Sequence, residues 1–457
     1  MYDYDVCVVG GGPSGVITAY SVAKAGYTCI ILDKKPRGLI GDKNCGDALD
    51  SLYTDILHEK LGIEPPSVEL GEARDLINKF TIATGTLENQ LSAQTPGYLV
   101  NRLAYGQRLL KDAEKIGVEI LPEVSVRNVL VENNHIIGVE YFDKEGNKNK
   151  IKSRITVDAS GIIGIVRKAI PIMLKNDINY DFNDNHVIKT YREIIKLKSN
   201  KDHKYREEIL LFYPPEIKPP GYIWIFSEGP KMLNIGIAWV KSDPYPIGKS
   251  MKKLFHDHLD KYFPTDSYEV IQKGGGNIPM RPNFDSLVYN GALLVGDAAG
   301  AVDPTSFEGH GPALDSGRMA GNAAISALEA NSFSKEDLWQ YNVDFMKYPG
   351  AMHMESFIAS QMTRDVGVKN LEFLLNRKII TEEILRNMFQ EKDSVISNST
   401  LLKMFLRAFP RWPMMFKLRK YMVKIEKVEE IYKKYPMSPD KLEEWRKFRN
   451  QELKMNF

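Results

Sequence analysis

The chain has 457 residues, 43% of them hydrophobic and 26% charged, and a formal net charge of only +2. That length exceeds one ordinary core, so two closely packed domains plus a helical extension are expected, and the composition excludes a disordered or membrane-embedded chain. The small charge gives no field that singles out nucleic acid as a partner, and three cysteines, Cys7, Cys29 and Cys45, argue for a reducing cytoplasm rather than a disulfide scaffold. The first residues carry no basic n-region, so export is not expected. No run of about twenty apolar residues marks a spanning helix, so any membrane contact is expected to be peripheral, on the inner face.

In chain order, residues 4–9 read as a short apolar strand, 14–25 as a helix and 28–32 as a second strand, which together make a βαβ unit. Residues 34–50 are rich in Gly, Lys and Asp and read as a loop, followed by a helix over 52–61. Between about 75 and 100 the pattern alternates as strands do, then a helix runs from Arg102 to about Ile116. Strands return at 118–121, 124–131 and 136–142, and 155–161 reads as a buried strand ending in a glycine turn. Alternation at 208–213, 222–227 and 233–240 predicts an antiparallel sheet of the kind that walls a small-molecule site. From about 312 the pattern is mainly helical. The expected fold class is α/β: a Rossmann-type nucleotide domain (1–75 with 100–170 and 285–335), an antiparallel-sheet substrate domain (76–99 with 171–284), and a helical C-terminal region (336–457).

Gly10-Gly11-Gly12-Pro13-Ser14-Gly15 fits G-x-G-x-x-G between the first strand and the first helix, and Asp33 ends the second strand. Small residues there let backbone approach a pyrophosphate at a helix N-terminus, and Asp33 can accept from ribose hydroxyls. FAD and NAD share that fingerprint, so the choice rests on other segments. Asn101-Arg102 opens a helix where a basic side chain can approach the pyrophosphate, although a surface arginine reads the same way. Val157-Asp158-Ala159-Ser160-Gly161 turns toward the nucleotide domain. Leu293-Leu294-Val295-Gly296-Asp297-Ala298-Ala299-Gly300 is followed by Asp303-Pro304 and Glu308-Gly309-His310-Gly311.

With that last segment the chain resembles the geranylgeranyl reductases, within the para-hydroxybenzoate-hydroxylase-like flavoproteins. The narrower likeness to the archaeal members rests on Lys43-Asn44-Cys45-Gly46-Asp47-Ala48, on the Tyr222-Ile223-Trp224-Ile225-Phe226 strand, and on Gly274-Gly275-Gly276-Asn277-Ile278-Pro279-Met280-Arg281-Pro282, and it extends to Tyr435-Pro436-Met437-Ser438-Pro439. The resemblance implies FAD as cofactor, held by Gly10, Gly12, Ser14, Gly15, Asp33, Cys45, Gly46, Ala48, Arg102, Val126, Asp297, Gly309 and His310. Asp297 falls on the ribityl hydroxyls, and Gly309 and His310 fall against the isoalloxazine. It implies a lipid pocket lined by Tyr222, Trp224 and Phe226, and no metal. Ser227 stands where the family's strand has Pro, and Gly236-Ile237-Ala238 replaces Gly-x-Gly, which puts the exact prenyl substrate in question.

Several features carry two readings. Three aromatics on one strand face suit core packing as well as a lipid wall. Cys45 and His310 are the candidate catalytic side chains, a redox thiol and a proton donor, although contact with the flavin is the preferred reading of each. Residues 401–409 and 411–420 mix bulky apolar with basic residues, as a helix on anionic lipid does and as a covering helix also does.

The chemistry implied is hydride from reduced FAD to trisubstituted C=C bonds of a geranylgeranyl chain, in archaeal ether-lipid biosynthesis. A proton must go to the neighbouring carbon, together with the hydride or before it, because an isolated alkene cannot hold the electron pair. The sequence does not identify the acid, and water or the flavin can serve. A second G-x-G-x-x-G between strand and helix is lacking, so the reductant is external, ferredoxin or NAD(P)H. The rivals are an FAD-dependent aromatic monooxygenase and, from another class, a non-catalytic flavoprotein electron carrier or lipid-binding protein.

Overall fold

A computed structural model describes residues 1–171, 181–389, 404 and 406–455. The expectations for 172–180 in the substrate sheet, and for 390–403 and 405 in the helical region, lie outside the described residues, as do parts of the 401–409 segment.

Two eight-stranded sheets form the frame. The first is built on β1 (Tyr4–Val9), whose residues Val6 to Val9 are buried on both faces, as parallel strands covered by helices must be. It pairs in parallel with β2 (Cys29–Leu32) and with β9 (Lys148–Asp158). β2 continues in parallel to β6 (Glu119–Leu121) and β9 to β16 (Ala292–Leu294). β15 (Val288–Tyr289) and the hairpin of β7 (Ser125–Glu132) and β8 (His135–Phe142) join antiparallel. Helices α1 (Pro13–Lys24), α2 (Ser51–Leu61), α3 (Arg102–Lys115) and the short α4 (Ile165–Ala169) belong to this half.

The second sheet runs β14 (Tyr268–Pro279), β10 (Val187–Leu197), β13 (Met232–Val240), β12 (Tyr222–Ser227), β11 (Glu208–Tyr213), β4 (Ala73–Thr84), β5 (Gln90–Val100) and β3 (Ala48–Asp50). Every neighbouring pair is antiparallel save β11 with β4. Alternation sorts its central strands into two apolar layers. Phe212, Ile223, Ile225 and Ile235 pack under α5 (Met251–Tyr262) through Leu254, Phe255 and Leu259. Tyr222, Trp224 and Phe226 take the opposite face with Phe80, Leu211 and Tyr213, closed by Val368 and Leu385.

Further α-helices among the described residues are α6 (His310–Ala330), α7 (Gln340–Phe345), α8 (Ala351–Val366), α9 (Val368–Asn376), α10 (Glu382–Phe389), α11 (Trp412–Lys433) and α12 (Leu442–Leu453). A buried ion cluster ties this end to the rest: Asp285 accepts from Arg446 Nε at 2.9 Å and pairs with Arg449. The Trp339 indole donates to the Pro436 carbonyl at 2.8 Å and the Tyr435 hydroxyl to that of Asp285 at 2.7 Å. The 435–439 segment is thus an anchor. Among the described residues no helix is long and apolar enough to cross a membrane.

Three differences from the sequence expectation have physical causes. The 34–50 stretch ends in β3, three residues that are extended only because they pair with Gly97, Tyr98 and Leu99. The strand expected at 155–161 starts earlier, at Lys148, because its charged first half pairs with β8 at the sheet margin. Strands β10 and β14 and helix α5 break the patterns used to find elements: β14 is an exposed edge strand containing Gly274, Gly275 and Gly276, and β10 carries charge at Lys189, Arg192, Glu193 and Lys196.

Candidate active site

The chain leaves β1 through Gly10, whose φ of +109° suits a residue without Cβ, and enters α1 with Gly12 as N-cap. A Cβ on Gly12 would meet no atom within 4 Å, so open space stands before the helix N-terminus, and Gly15 packs on the Gly10 backbone. Ser14 is buried beneath the turn. Asp33 is drawn into the same loop: Oδ2 accepts from the Gly11 amide at 2.8 Å and Oδ1 from the Lys35 amide at 2.8 Å. The Val124 amide reaches the Asp33 carbonyl at 3.0 Å, which brings β7 alongside, with Val126 buried two residues on. Arg102, also buried, opens α3 behind the cap of Asn101, whose Oδ1 accepts from the Ala104 amide at 3.3 Å.

The second segment arrives from β16. Gly296 and Asp297 form a turn against Ser14, and a Cβ on Gly296 would lie 2.6 Å from the Ser14 hydroxyl. Asp297 pairs with Lys43 Nζ at 2.8 Å, which draws the 43–47 loop onto the Gly-Asp turn. Gly309 is the N-cap of α6 and His310 its first residue. His310 is buried, lies edge-on to Tyr105 with centroids 6.0 Å apart, and has no hydrogen-bond partner at Nδ1. Burial, with Arg102 and Lys43 nearby, pushes its pKa well down and keeps the imidazole neutral. Glu308 Oε1 accepts from the Gly311 amide at 2.7 Å, and burial, with Asp50 and Asp303 adding to it, lifts its carboxyl to about 8.

The loop carrying Cys45, Gly46 and Ala48 is pressed onto the aromatic face. A Cβ on Gly46 would sit 2.7 Å from the Phe226 ring, so the backbone approaches as closely as it does only because the residue is glycine. Cys45 is partly buried, and its carbonyl accepts from Asn234 Nδ2 at 2.9 Å. The same amide nitrogen reaches Asp47 Oδ2 at 3.2 Å and Glu228 Oε1 at 3.2 Å, while Asn234 Oδ1 accepts from the Trp224 indole at 3.0 Å. Arg192 donates from Nη2 to Asn44 at 3.4 Å and to Gln272 at 3.3 Å. Tyr222 stacks on Phe307, with centroids 5.2 Å apart, so both the Cys45 loop and the Gly309 turn end against one wall. Ser227, the departure from Pro, donates to the buried Asp75 at 2.5 Å, a carboxylate also held by Arg206. Gly236 leaves the room that the Trp224 ring fills.

Residues far apart in sequence therefore converge: the Gly10 turn, Arg102, the 43–48 loop, Asp297, the Gly309–His310 turn and the Tyr222–Trp224–Phe226 face. Asp33 joins the Gly10 turn, and β7 with the buried Val126 begins beside it. Sequence reasoning did not single out Lys43, Asn44, Arg192, Glu228, Asn234 or Glu308 as site residues. Lys43, Asn44 and Glu308 stand within motifs it quoted, whereas Arg192, Glu228 and Asn234 carry no local signal.

Residues 3–211 match an FAD binding domain, and residues 187–278 a geranylgeranyl reductase catalytic domain. A digeranylgeranylglycerophospholipid reductase of Sulfolobus acidocaldarius is 30% identical over 447 residues, covering 97% of this chain and 96% of that one. Digeranylgeranylglycerophospholipid reductase 3 of Methanosphaera stadtmanae is 24% identical, covering 92% of this chain and 99% of that one. A solved geranylgeranyl bacteriochlorophyll reductase-like protein of Thermoplasma acidophilum shares the fold, with a TM-score of 0.75 at 21% identity over 92% of this chain and 99% of that one. The protein is thus an FAD-dependent oxidoreductase, and the chain belongs to the geranylgeranyl reductase family.

Glu308 gives the site a pH signature. The folded chain keeps this proton up to about pH 8, whereas an ordinary carboxyl, as in the unfolded chain, releases it near 4.5. The folded state therefore binds more protons across that window, and stability falls as pH rises through it. Glu308→Gln is expected to flatten this fall in chemical-denaturation curves of the apoprotein recorded between pH 5 and 8. A variant with the wild-type slope would show that Glu308 titrates normally.

Proposed function

We propose that this protein saturates the C=C bonds of geranylgeranyl chains on a glycerophospholipid precursor of archaeal membrane lipids. The observation that carries the reading is the meeting of two helix N-termini, those of α1 and α6, with the Cys45 loop and an apolar aromatic wall in one place. These residues fit a flavin dinucleotide. Open space lies before Gly12, no side chain caps the N-terminus of α1, and the buried His310 Nδ1 lacks a protein partner.

In this reading Gly10, Gly12, Ser14, Gly15 and Arg102 hold the pyrophosphate, and Asp33 and Val126 the adenosine end. Asp297 holds the ribityl chain, and Cys45, Gly46, Ala48, Gly309 and His310 border the ring. The bound group supplies hydride to the alkene. The N-terminus of α6 favours negative charge beside it. Tyr222, Trp224 and Phe226, with Leu211 and Tyr213 beside them, give the chain an apolar surface and keep water from the reacting carbons. The neutral imidazole of His310 suits contact with the ring better than storage of a proton. Electrons come from outside, from ferredoxin or NAD(P)H, because G-x-G-x-x-G between strand and helix occurs once in the sequence.

The test is anaerobic incubation of dithionite-reduced holoprotein with a geranylgeranyl glycerophospholipid, followed by mass spectrometry. The expected product gains two hydrogens per saturated bond as the flavin reoxidises. Unchanged lipid there, with hydroxylation of an aromatic compound and matching oxygen consumption in a parallel aerobic assay, would instead establish the monooxygenase.

The substrate also suggests where the protein works. Residues 406–425 contain six basic side chains and no acidic one, and Leu406, Phe409 and Phe416 are 62%, 59% and 59% exposed. Aromatic and aliphatic side chains among cations suit a peripheral seat on anionic lipid at the inner face of the membrane. In vesicle flotation the protein is expected to rise with anionic vesicles but not neutral ones, and Phe409→Ser/Phe416→Ser to remain at the bottom. Wild-type protein that never floats would contradict this placement.

A further inference from the structure

Saturating an isolated double bond consumes one proton for each hydride, and the established activity leaves open which group holds it. Behind the Cys45 loop, two carboxyls converge on a single amide. Asn234 Nδ2 contacts Asp47 Oδ2 at 3.2 Å and Glu228 Oε1 at 3.2 Å. Both acids are buried, at 6% and 7% exposure, and Asp47 Oδ1 has no partner. Asp47 itself sits at φ +69°, a left-handed conformation unfavourable for a non-glycine residue, which the surrounding contacts hold.

The cluster has an inner and an outer end. At the inner end, the Gly46 backbone lies against Phe226 and Asn234 Oδ1 accepts a hydrogen bond from the Trp224 indole, so Asp47 is one residue and one hydrogen bond from the wall proposed for the prenyl chain. At the outer end, Arg74 Nε stands 3.6 Å from Glu228 Oε2 with its side chain 44% exposed, which opens the cluster toward solvent. The charged groups facing Asp47 are Arg192 from β10, Arg102 from α3, Arg74 from β4 and Glu228 from the turn after β12. Arg192 is buried, lies 3.6 Å from Asp47 Oδ2 and leaves Nε and Nη1 without hydrogen-bond partners, poised to balance a carboxylate formed there.

We infer that Asp47 and Glu228 form a two-carboxyl proton store that supplies the proton consumed in each saturation. Two carboxyls this close do not both ionise readily in a dry site. Burial lifts Asp47 to about 8 against the pull of Arg192, and it lifts Glu228 as well. The step balances. The hydride brings one hydrogen and both bonding electrons to one alkene carbon, and the Asp47 O–H bond breaks to give the second C–H bond on its neighbour. Asp47 is left as a carboxylate beside Arg192. Glu228 then passes its proton inward and is reprotonated from solvent at the Arg74 end.

The inference rests on the prenyl-reductase reading, and the experiment separates the two. Infrared difference spectra of the holoprotein near neutral pH, wild type minus Asp47→Asn, are expected to show a buried protonated-carboxyl band that is still present when Glu308→Gln is the background for both. This readout needs no turnover. In single-turnover oxidation of the reduced holoprotein by prenyl lipid, Asp47→Asn is expected to bind FAD normally and react at least ~100-fold more slowly. The rate is expected to fall as pH rises through about 8, where Asp47 loses its proton, and Glu228→Gln to shift that fall. Asp47→Asn that binds FAD and reacts within a few-fold of wild type would overturn the proton store. Should that variant lose FAD, Glu228→Gln decides, and a wild-type pH profile overturns the proposal. Wild-type protein that carries the infrared band yet is not oxidised by prenyl lipid refutes the prenyl-reductase reading instead.

Discussion

The close crossing of α1 and α6 is the contact on which everything else depends. Gly317 lies against the Ser14 backbone, so that any side chain there would strike it, and a Cβ on Gly321 would lie 2.5 Å from Ser21. Thr18 seals the contact by donating to the Gly317 carbonyl at 3.1 Å. Gly317, about two turns into α6, meets Ser14 at the start of α1, so the N-terminus of α6 runs on past that of α1, although the residues at those ends are some three hundred positions apart. One terminus faces the open space at Gly12 and the other begins at His310. A single elongated anionic cofactor can span both.

The second sheet completes the site by supplying a wall. Strand alternation puts Tyr222, Trp224 and Phe226 on the face away from α5, and the 43–48 loop lies between that face and the Gly-Asp turn. The loop is held by polar contacts at both sides, Lys43 to Asp297 and Asn234 to the Cys45 carbonyl, and by the missing side chain of Gly46 at the aromatic surface. In the proposed function the prenyl chain and the flavin meet beside this loop rather than across it, because hydride transfer needs the two in direct contact.

Much of this could be read from the sequence, because its elements obey local rules. The β1–α1–β2 unit fell within a residue of its predicted bounds, and β11 and β12 coincided with theirs, since glycine turns and alternation of buried and exposed positions are properties of neighbouring residues. The motifs at 10–15 and 296–311 were legible for the same reason. Other features were not local. β3 is a strand only because β5 lies beside it, and β14 is an exposed edge interrupted by glycines. Arg192 and Asn234 reach the site from strands 148 and 189 residues beyond the loop they hold, and an isolated Arg or Asn in a strand looks like surface chemistry. The helical region was expected in kind, but its anchor at Asp285 joins residues more than 150 positions apart and leaves no mark on periodicity.

The central claim is that two distant segments fold around one flavin, and an FAD titration of the apoprotein beside Gly317→Val tests it most directly. The account predicts one FAD per chain in the wild type, with a perturbed visible spectrum. It predicts a variant that keeps its circular-dichroism signature but no longer binds, because a side chain at 317 forces α1 and α6 apart. A folded Gly317→Val that takes up FAD with wild-type affinity would contradict it, since the two helix ends would then not need to be held together.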